Sequence, residues 1–192
     1  MAPRCGVYTA LYGNLDELPE QPVRAASALD FIAFVGDPAL LSRDWTVRHL
    51  PPRIPGDPVR SARFAKMHPH ILLRDYDASL YIDCTVLLKQ PPEALFDGLL
   101  FGQSETMACL RNNQRDNVPD EALTVLNLGY DDPEAYLRQF RAYANAGYRG
   151  IVPLIWGGVL LRYHRHASVV AMMERWWEHV LHYSRRDQLS FS

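Results

Sequence analysis

Over the first half of the chain, apolar residues fall in short unbroken runs rather than in helical stripes. Val7 to Tyr12 and Phe31 to Val35 are nearly all apolar and rich in β-branched and aromatic side chains. That is the pattern of strands covered on both faces in a mostly parallel sheet. The first run ends in the turn residues Gly13-Asn14-Leu15-Asp16 and the second in Gly36-Asp37-Pro38. Thr46 to Leu50 alternates and meets Pro51-Pro52, as an edge strand does. Leu80-Tyr81-Ile82 is a third buried run; it stops on Asp83, and a short apolar run, Val86-Leu87-Leu88, lies beyond. Thr106 to Leu110 and Val159 to Arg162 read as later strands. The second of these is entered through Gly157-Gly158, whose bare backbone lets a ligand approach closely.

Between these runs the period lengthens to that of helices. Asp57-Pro58 places an acceptor at an N-cap and Pro in the first turn, opening a helix that runs to about Met67 and is ended by Pro69. Pro91-Pro92 starts a second helix over Glu93 to Leu100. A polar stretch from Arg111 to Asn117 follows, with Asp120 and Glu121 placed to cap a short helix. Asp132-Pro133 opens a helix expected to bury Leu137, Phe140 and Ala144 and to close near Gly147. The last helix, Ser168 to Tyr183, lines up Val169, Met173, Trp176, Trp177 and Val180. Strands alternating with helices predict an α/β sandwich around a central sheet, and 192 residues fit one domain, 1–192.

Composition changes little. A hydrophobic fraction of 48% and a charged fraction of 22% are those of a soluble globular protein. A net charge of -2 attracts neither nucleic acid nor anionic membrane, so any cationic site is local. Cys5, Cys84 and Cys109 have no CxxC spacing and cannot all pair, which points to reduced thiols and a cytoplasmic setting. Cys84 beside Asp83 reads either as a nucleophile or as a small buried thiol. No signal-peptide series opens the chain, and the longest apolar stretch, Ile151 to Leu161, is too short to span a bilayer.

Neither of the common Gly-rich phosphate cradles, GxGxxG or GxxxxGK[ST], is present, and GxSxG is absent too. What remains is polar residues at strand ends: Thr9, Asp37, Asp83 and His164, together with Asp187 and a basic helix. Asp83 is the most informative of them. A carboxylate just past a buried strand sits where an α/β sheet opens into its ligand crevice. It costs desolvation energy there unless a metal, a cation or hydrogen-bond donors meet it. Arg60, Arg63 and Lys66 recur every third residue on the helix before it, either as an anion site or as a solvated face. Trp176-Trp177 reads as core or as a sugar-stacking platform. A rival set for a metal-dependent hydrolase is Asp75, Asp77, Asp83, His68 and His70, with Pro69 between the histidines.

Four blocks, in order, carry a family resemblance. They are Val7-Tyr8-Thr9-Ala10-Leu11-Tyr12-Gly13-Asn14-Leu15-Asp16, Ala62 to His70, Tyr81-Ile82-Asp83, and Trp176-Trp177 with Arg186-Asp187-Gln188-Leu189-Ser190-Phe191. The sequence resembles the glycosyltransferase-like family once catalogued as domain of unknown function 616. The resemblance implies a GT-A-like, Rossmann-like three-layer fold and transfer of a sugar from a nucleotide-diphosphate donor to a hydroxyl acceptor, a glycan among the candidates. It implies that Thr9 and Asp37 lie at the nucleotide base, Asp37 accepting from a pyrimidine N–H. Asp83 matches the place of an Asp-x-Asp motif holding Mn²⁺ or Mg²⁺ on the diphosphate, with His164 as a further ligand. Thr85 stands at the second motif position, a weak neutral ligand. Arg63 and Lys66, with Arg60 behind them, are expected to neutralise the diphosphate beside or instead of the metal. Gly157, Gly158 and Gln188 join the donor site. Asp187 is expected on the acceptor side as base or orienter, or else as an N-cap or ion-pair partner of Arg185 or Arg186. Glu121 matches an acidic family position, but Asn112 replaces the His expected nearby. The remaining alternative is a non-catalytic module that binds nucleotide sugar or glycan.

Overall fold

The computed structural model describes residues 3–13, 16–148 and 153–191. Asn14 and Leu15 of the first turn, and Ile151 and Val152 of the apolar run, lie outside the described residues. Six strands form one sheet: β1 (Cys5–Leu11), β2 (Asp30–Val35), β3 (Thr46–His49), β4 (Ala78–Ile82), β5 (Met107–Arg111) and β6 (Ile155–Arg162). Their order is β3-β2-β1-β4-β6-β5. β1 pairs in parallel with β2 and β4, and β2 with β3, while β6 is antiparallel to both β4 and β5. The sheet is therefore mostly parallel, with β6 reversed. Val86 to Leu88 form no strand, and Gly157-Gly158 lie inside β6 rather than before it.

The helices are α1 (Pro58–Met67), α2 (Pro69–Leu72), α3 (Glu93–Leu99), α4 (Val118–Asn127), α5 (Pro133–Asn145) and α6 (Ala167–His182). Asp57 and Asp132 cap α1 and α5 through their side chains, each followed by Pro. The cap of α4 is Asn117, which accepts from the Asp120 N–H at 3.0 Å, so Asp120 and Glu121 lie in the first turn. Pro69 does not simply stop α1; it opens the one-turn α2.

Strand alternation sorts the core into two layers. Tyr8, Ala10, Ile32, Phe34, Tyr81 and Leu160 pack against α1 and α6, where Val169, Met173, Trp176, Trp177 and Val180 are buried. The Trp pair is therefore core. Val7, Leu11, Phe31, Ala33, Val35, Leu80, Ile82 and Leu161 face the opposite layer, with Val23, Trp45, Phe96 and Leu100. Each fully buried Leu, Ile or Phe contributes about 1.5–3 kcal/mol. A third, smaller cluster joins α4 and α5 to the C-terminal segment through Val118, Ala122, Val125, Tyr136 and Leu189.

The face of α5 differs from the one the sequence predicts. Leu137 is exposed and Gln139 is buried. Gln139 donates to the Leu189 carbonyl at 3.0 Å and accepts from the Ser184 N–H at 3.3 Å. A polar side chain that satisfies two backbone groups of the C-terminal segment outcompetes an apolar one here.

The chain runs from β1 outward to β2 and β3, then returns to the other side of β1 as β4. The strand order thus reverses between β1 and β4, and the C-terminal ends of those two strands are where an α/β sheet opens a crevice.

Candidate functional site

A hollow of about 250 Å³ occupies that crevice. Ala10, Leu11 and Tyr12 line it from β1, Tyr81 and Asp83 from β4, and Pro58, Ala62 and Arg63 from α1. Arg186 closes it from the C-terminal segment. Through Leu11, Tyr12, Asp16 and Pro58 it opens into a second hollow of about 640 Å³ at the ends of β1 and β2, which Asp37 lines. Asp37 is exposed there and accepts from the Ala39 N–H at 2.8 Å.

Asp83 is half-buried and accepts from the Tyr81 hydroxyl at 2.7 Å. Arg63 sits on the same hollow, its Nε 3.1 Å from Asp187 Oδ1. Burial disfavours this guanidinium, but the Asp187 and Asp83 carboxylates outweigh it and raise its pKa further. Lys66 turns away from the hollow: it is fully buried and ion-paired with the other Asp187 oxygen. Its ammonium lies over the rings of Tyr81 and Trp176 at 5.2 and 5.4 Å. Asp187 is 3% exposed. Burial alone would raise its pKa, yet Arg63 and Lys66 together hold the carboxyl well below the usual carboxylate range. Its partners are therefore Arg63 and Lys66, from a helix over 120 residues earlier in the chain. With both oxygens engaged and water excluded, Asp187 is built as an ion-pair anchor rather than as a base facing solvent.

The other predicted residues disperse. Arg60 is used structurally: it donates to the Val180 and Tyr183 carbonyls at 2.8 and 2.7 Å and pairs with Asp57, tying α1 to the end of α6. Thr9 lies within β1, fully buried, its hydroxyl without a partner among the described residues, and it lines neither hollow. Gly157 is explained by packing: a Cβ there would lie 2.8 Å from Lys66 Nζ and 3.3 Å from Asp187 Oδ2. Gly158 is filled by the Trp156 ring, 2.7 Å from where a Cβ would be. Gln188 donates to the Ile155 carbonyl at 3.1 Å and faces a separate hollow beyond Arg186.

His164 is neither a ligand near Asp83 nor a surface residue. Because β6 runs against β4, Ser79 pairs with Arg162, and His164 falls beyond the start of β4, at the end opposite Asp83. It is fully buried, Nδ1 3.0 Å from Ser79 Oγ and Nε2 3.2 Å from the Leu73 carbonyl. A carbonyl only accepts, so Nε2 carries the proton and Nδ1 accepts from the hydroxyl. Burial lowers its pKa to about 4.

The hydrolase set is not gathered either. Asp75 and Asp77 precede β4 while Asp83 follows it, and His68 and His70 turn to Glu174 at 3.6 and 2.9 Å. Burial, then Asp16 and Asp83, push the Cys84 thiol up to about 12, which removes it as a thiolate nucleophile at neutral pH.

Among the described residues no group of three His, Cys, Asp or Glu is placed to hold a metal. Asp83 and Asp16 do line the same hollow. Two carboxylates on one hollow fit the way Mg²⁺ is usually bound, by one or two carboxylates with substrate oxygens completing the shell. Two lining residues that the sequence does not single out are Arg186, which stands beside Asp187 in the terminal block, and Trp156, hidden beside the Gly pair. Among the described residues no helix is long and apolar enough to cross a membrane.

The family described as TOD1/MUCI70, glycosyltransferase-like domain, matches residues 45–192, more than three quarters of the chain. That span contains α1, Asp83, Trp156 and Arg186, but not β1 or β2. No curated protein sequence matches the chain. Among solved structures, the fold is similar to that of the bifunctional glycosyltransferase WbbM in its apo form, at a TM-score of 0.53 and 10% identity. The likeness covers 98% of this chain and 36% of that one, so the chain spans about a third of the length of WbbM.

Proposed function

Since the chain belongs to the TOD1/MUCI70 glycosyltransferase-like family, we propose that it binds a nucleotide-diphosphate sugar across the ends of β2, β1 and β4 and transfers the sugar to a hydroxyl acceptor. The observation that carries this reading is the crevice at the β1–β4 switch point, which Arg63, Arg186 and Asp83 line together. The nucleoside occupies the wider hollow, with Asp37 at its rim, and the diphosphate lies between the two arginines. Transfer forms a bond from the acceptor oxygen to the anomeric carbon as that carbon's bond to the diphosphate oxygen breaks. The electron pair leaves with the nucleoside diphosphate, and the hydroxyl proton ends on solvent.

Charge developing on the departing diphosphate is the demand the site must meet, and guanidiniums already in place meet it without reorganising. Arg63 is held for that task by Asp187, whose own charge is maintained by Lys66. Asp187 and Lys66 are thus positioning residues rather than catalytic ones. A Mn²⁺ or Mg²⁺ ion, held by Asp83 and Asp16, would add positive charge at the diphosphate.

The test is incubation with a panel of nucleotide sugars, with and without Mn²⁺, reading free nucleotide. Slow release from at least one donor is expected. The lone carboxylate of Asp83-Cys84-Thr85, where the motif has two, favours a second reading as a binding module. Binding without turnover would support that module, and failure to bind any donor would overturn the transferase reading and leave only a glycan-binding module.

A further inference from the structure

Beyond Arg186 lies a third hollow of about 590 Å³, which none of the residues assigned to the donor enters except Arg186 and Gln188. Its floor is Trp156. This indole is 38% exposed, whereas Trp45, Trp176 and Trp177 are buried at 4%, 2% and 7%. One side of the ring lies on the bare backbone of Gly158, so close that a Cβ there would clash at 2.7 Å, while the residue lines the hollow. Tyr130 is also exposed, with the Arg186 guanidinium 5.1 Å over its ring. Around them stand planar polar groups: Asn112, Gln114, Gln188 and Arg186. Glu121, almost wholly buried, pairs with Arg115 at 2.7 Å and Arg186 at 3.5 Å, so it holds two cations of this wall without itself facing solvent.

A clamped aromatic face ringed by amide and guanidinium groups suits a pyranose. The apolar C–H face of the sugar covers the indole, and its hydroxyls exchange hydrogen bonds with the planar groups. Trp156 and Tyr130 both leave apolar surface to water in one concavity, surface that a ligand would cover. Arg186 lines this hollow and the crevice of Asp83 alike, so the two are neighbours with that side chain between them. We infer that the hollow floored by Trp156 is the acceptor subsite, and that it binds a pyranose unit stacked on the Trp156 indole. That the sugar bound there is the acceptor rests on the donor reading; that a sugar binds there does not.

The experiment is capture of the full chain on an array of neutral and acidic oligosaccharides, with UDP affinity of each variant measured in parallel. Wild type should be captured by at least one pyranose-containing glycan. Trp156→Ala should lose about tenfold in capture, the loss of one stacking contact, while Trp156→Phe retains most of it. Tyr130→Ala, on a different segment, should weaken capture in the same direction, guarding against a local folding defect in β6. Unchanged UDP affinity in the two Trp156 variants keeps the effect on the sugar side. No glycan capture by wild type, or equal capture by Trp156→Ala, overturns the inference. Capture that depends on Trp156 in a chain that binds no nucleotide would keep the sugar site and overturn only the donor reading.

Discussion

Asp187 holds two cations in a place from which water is excluded, and the consequences can be measured one residue at a time. Asp187→Asn leaves Lys66 buried with no counter-charge, which should cost about 3–5 kcal/mol in urea unfolding. Adding Lys66→Met should recover part of that loss, because the stranded charge goes with it. Since the folded carboxyl titrates below its unfolded value, its contribution is fully present above about pH 4 and is lost as pH falls through the folded pKa. His164 acts in a separate window. Its pKa drops from 6.5 to about 4 on burial, so its contribution is present above about pH 6.5 and is lost as pH falls through about 4. His164→Gln, which keeps a donor and an acceptor but does not titrate, should flatten the stability profile between those limits by on the order of 2–3 kcal/mol. An unchanged slope would mean that His164 is not buried neutral. Asp83→Asn separates the two accounts of the proposed diphosphate site. With Mn²⁺ it should weaken UDP binding about tenfold, while in EDTA, with a like charge gone, binding should hold or tighten. Equal loss in both conditions would remove the metal from the reading.

At the scale of elements, α1 shows what local pattern can and cannot say. Its cap, its Pro and its end near Met67 follow from residues adjacent in sequence, and all three are found. The three cations at every third residue are also plain in the sequence, but their fates are not. Arg60 goes to the end of α6, Arg63 to the crevice and Lys66 into the core. Each destination depends on partners 120 or more residues away, Val180, Tyr183 and Asp187, which no local period encodes. β6 teaches the same lesson about glycine. The pair Gly157-Gly158 signals close approach, but what approaches is the protein itself: the Lys66–Asp187 pair at one residue and the Trp156 ring at the next. Gly157→Ala should therefore push Lys66 off Asp187 and cost about 1–3 kcal/mol, visible as a lower Tm. Tm equal to wild type would mean that the pair has slack. The place of His164 is not legible for a topological reason: the sequence marks a strand end but not its direction, and the antiparallel run of β6 carries that residue to the end of the sheet opposite Asp83.

For the molecule as a whole, the strand order matters more than any one motif. Buried runs, turn chemistry and helix caps make the α/β class legible, and Asp83 at the end of β4 is readable from sequence because a charge there needs a reason. The order β3-β2-β1-β4-β6-β5 is not readable, and it sets the switch point beside which neighbouring hollows lie. The wide hollow by Asp37 meets the crevice of Asp83 through Leu11, Tyr12, Asp16 and Pro58, and the crevice meets the Trp156 hollow through Arg186. The proposed nucleoside, diphosphate and acceptor sugar would follow that series in one direction. The most direct test of the central claim is calorimetric titration of wild type, Arg63→Ala and Arg186→Ala with UDP, GDP, CDP and ADP. At least one nucleotide should bind wild type, and each substitution should weaken it by about tenfold, the loss of a charge-assisted contact. Binding of none of the four, or binding indifferent to both arginines, would contradict the account.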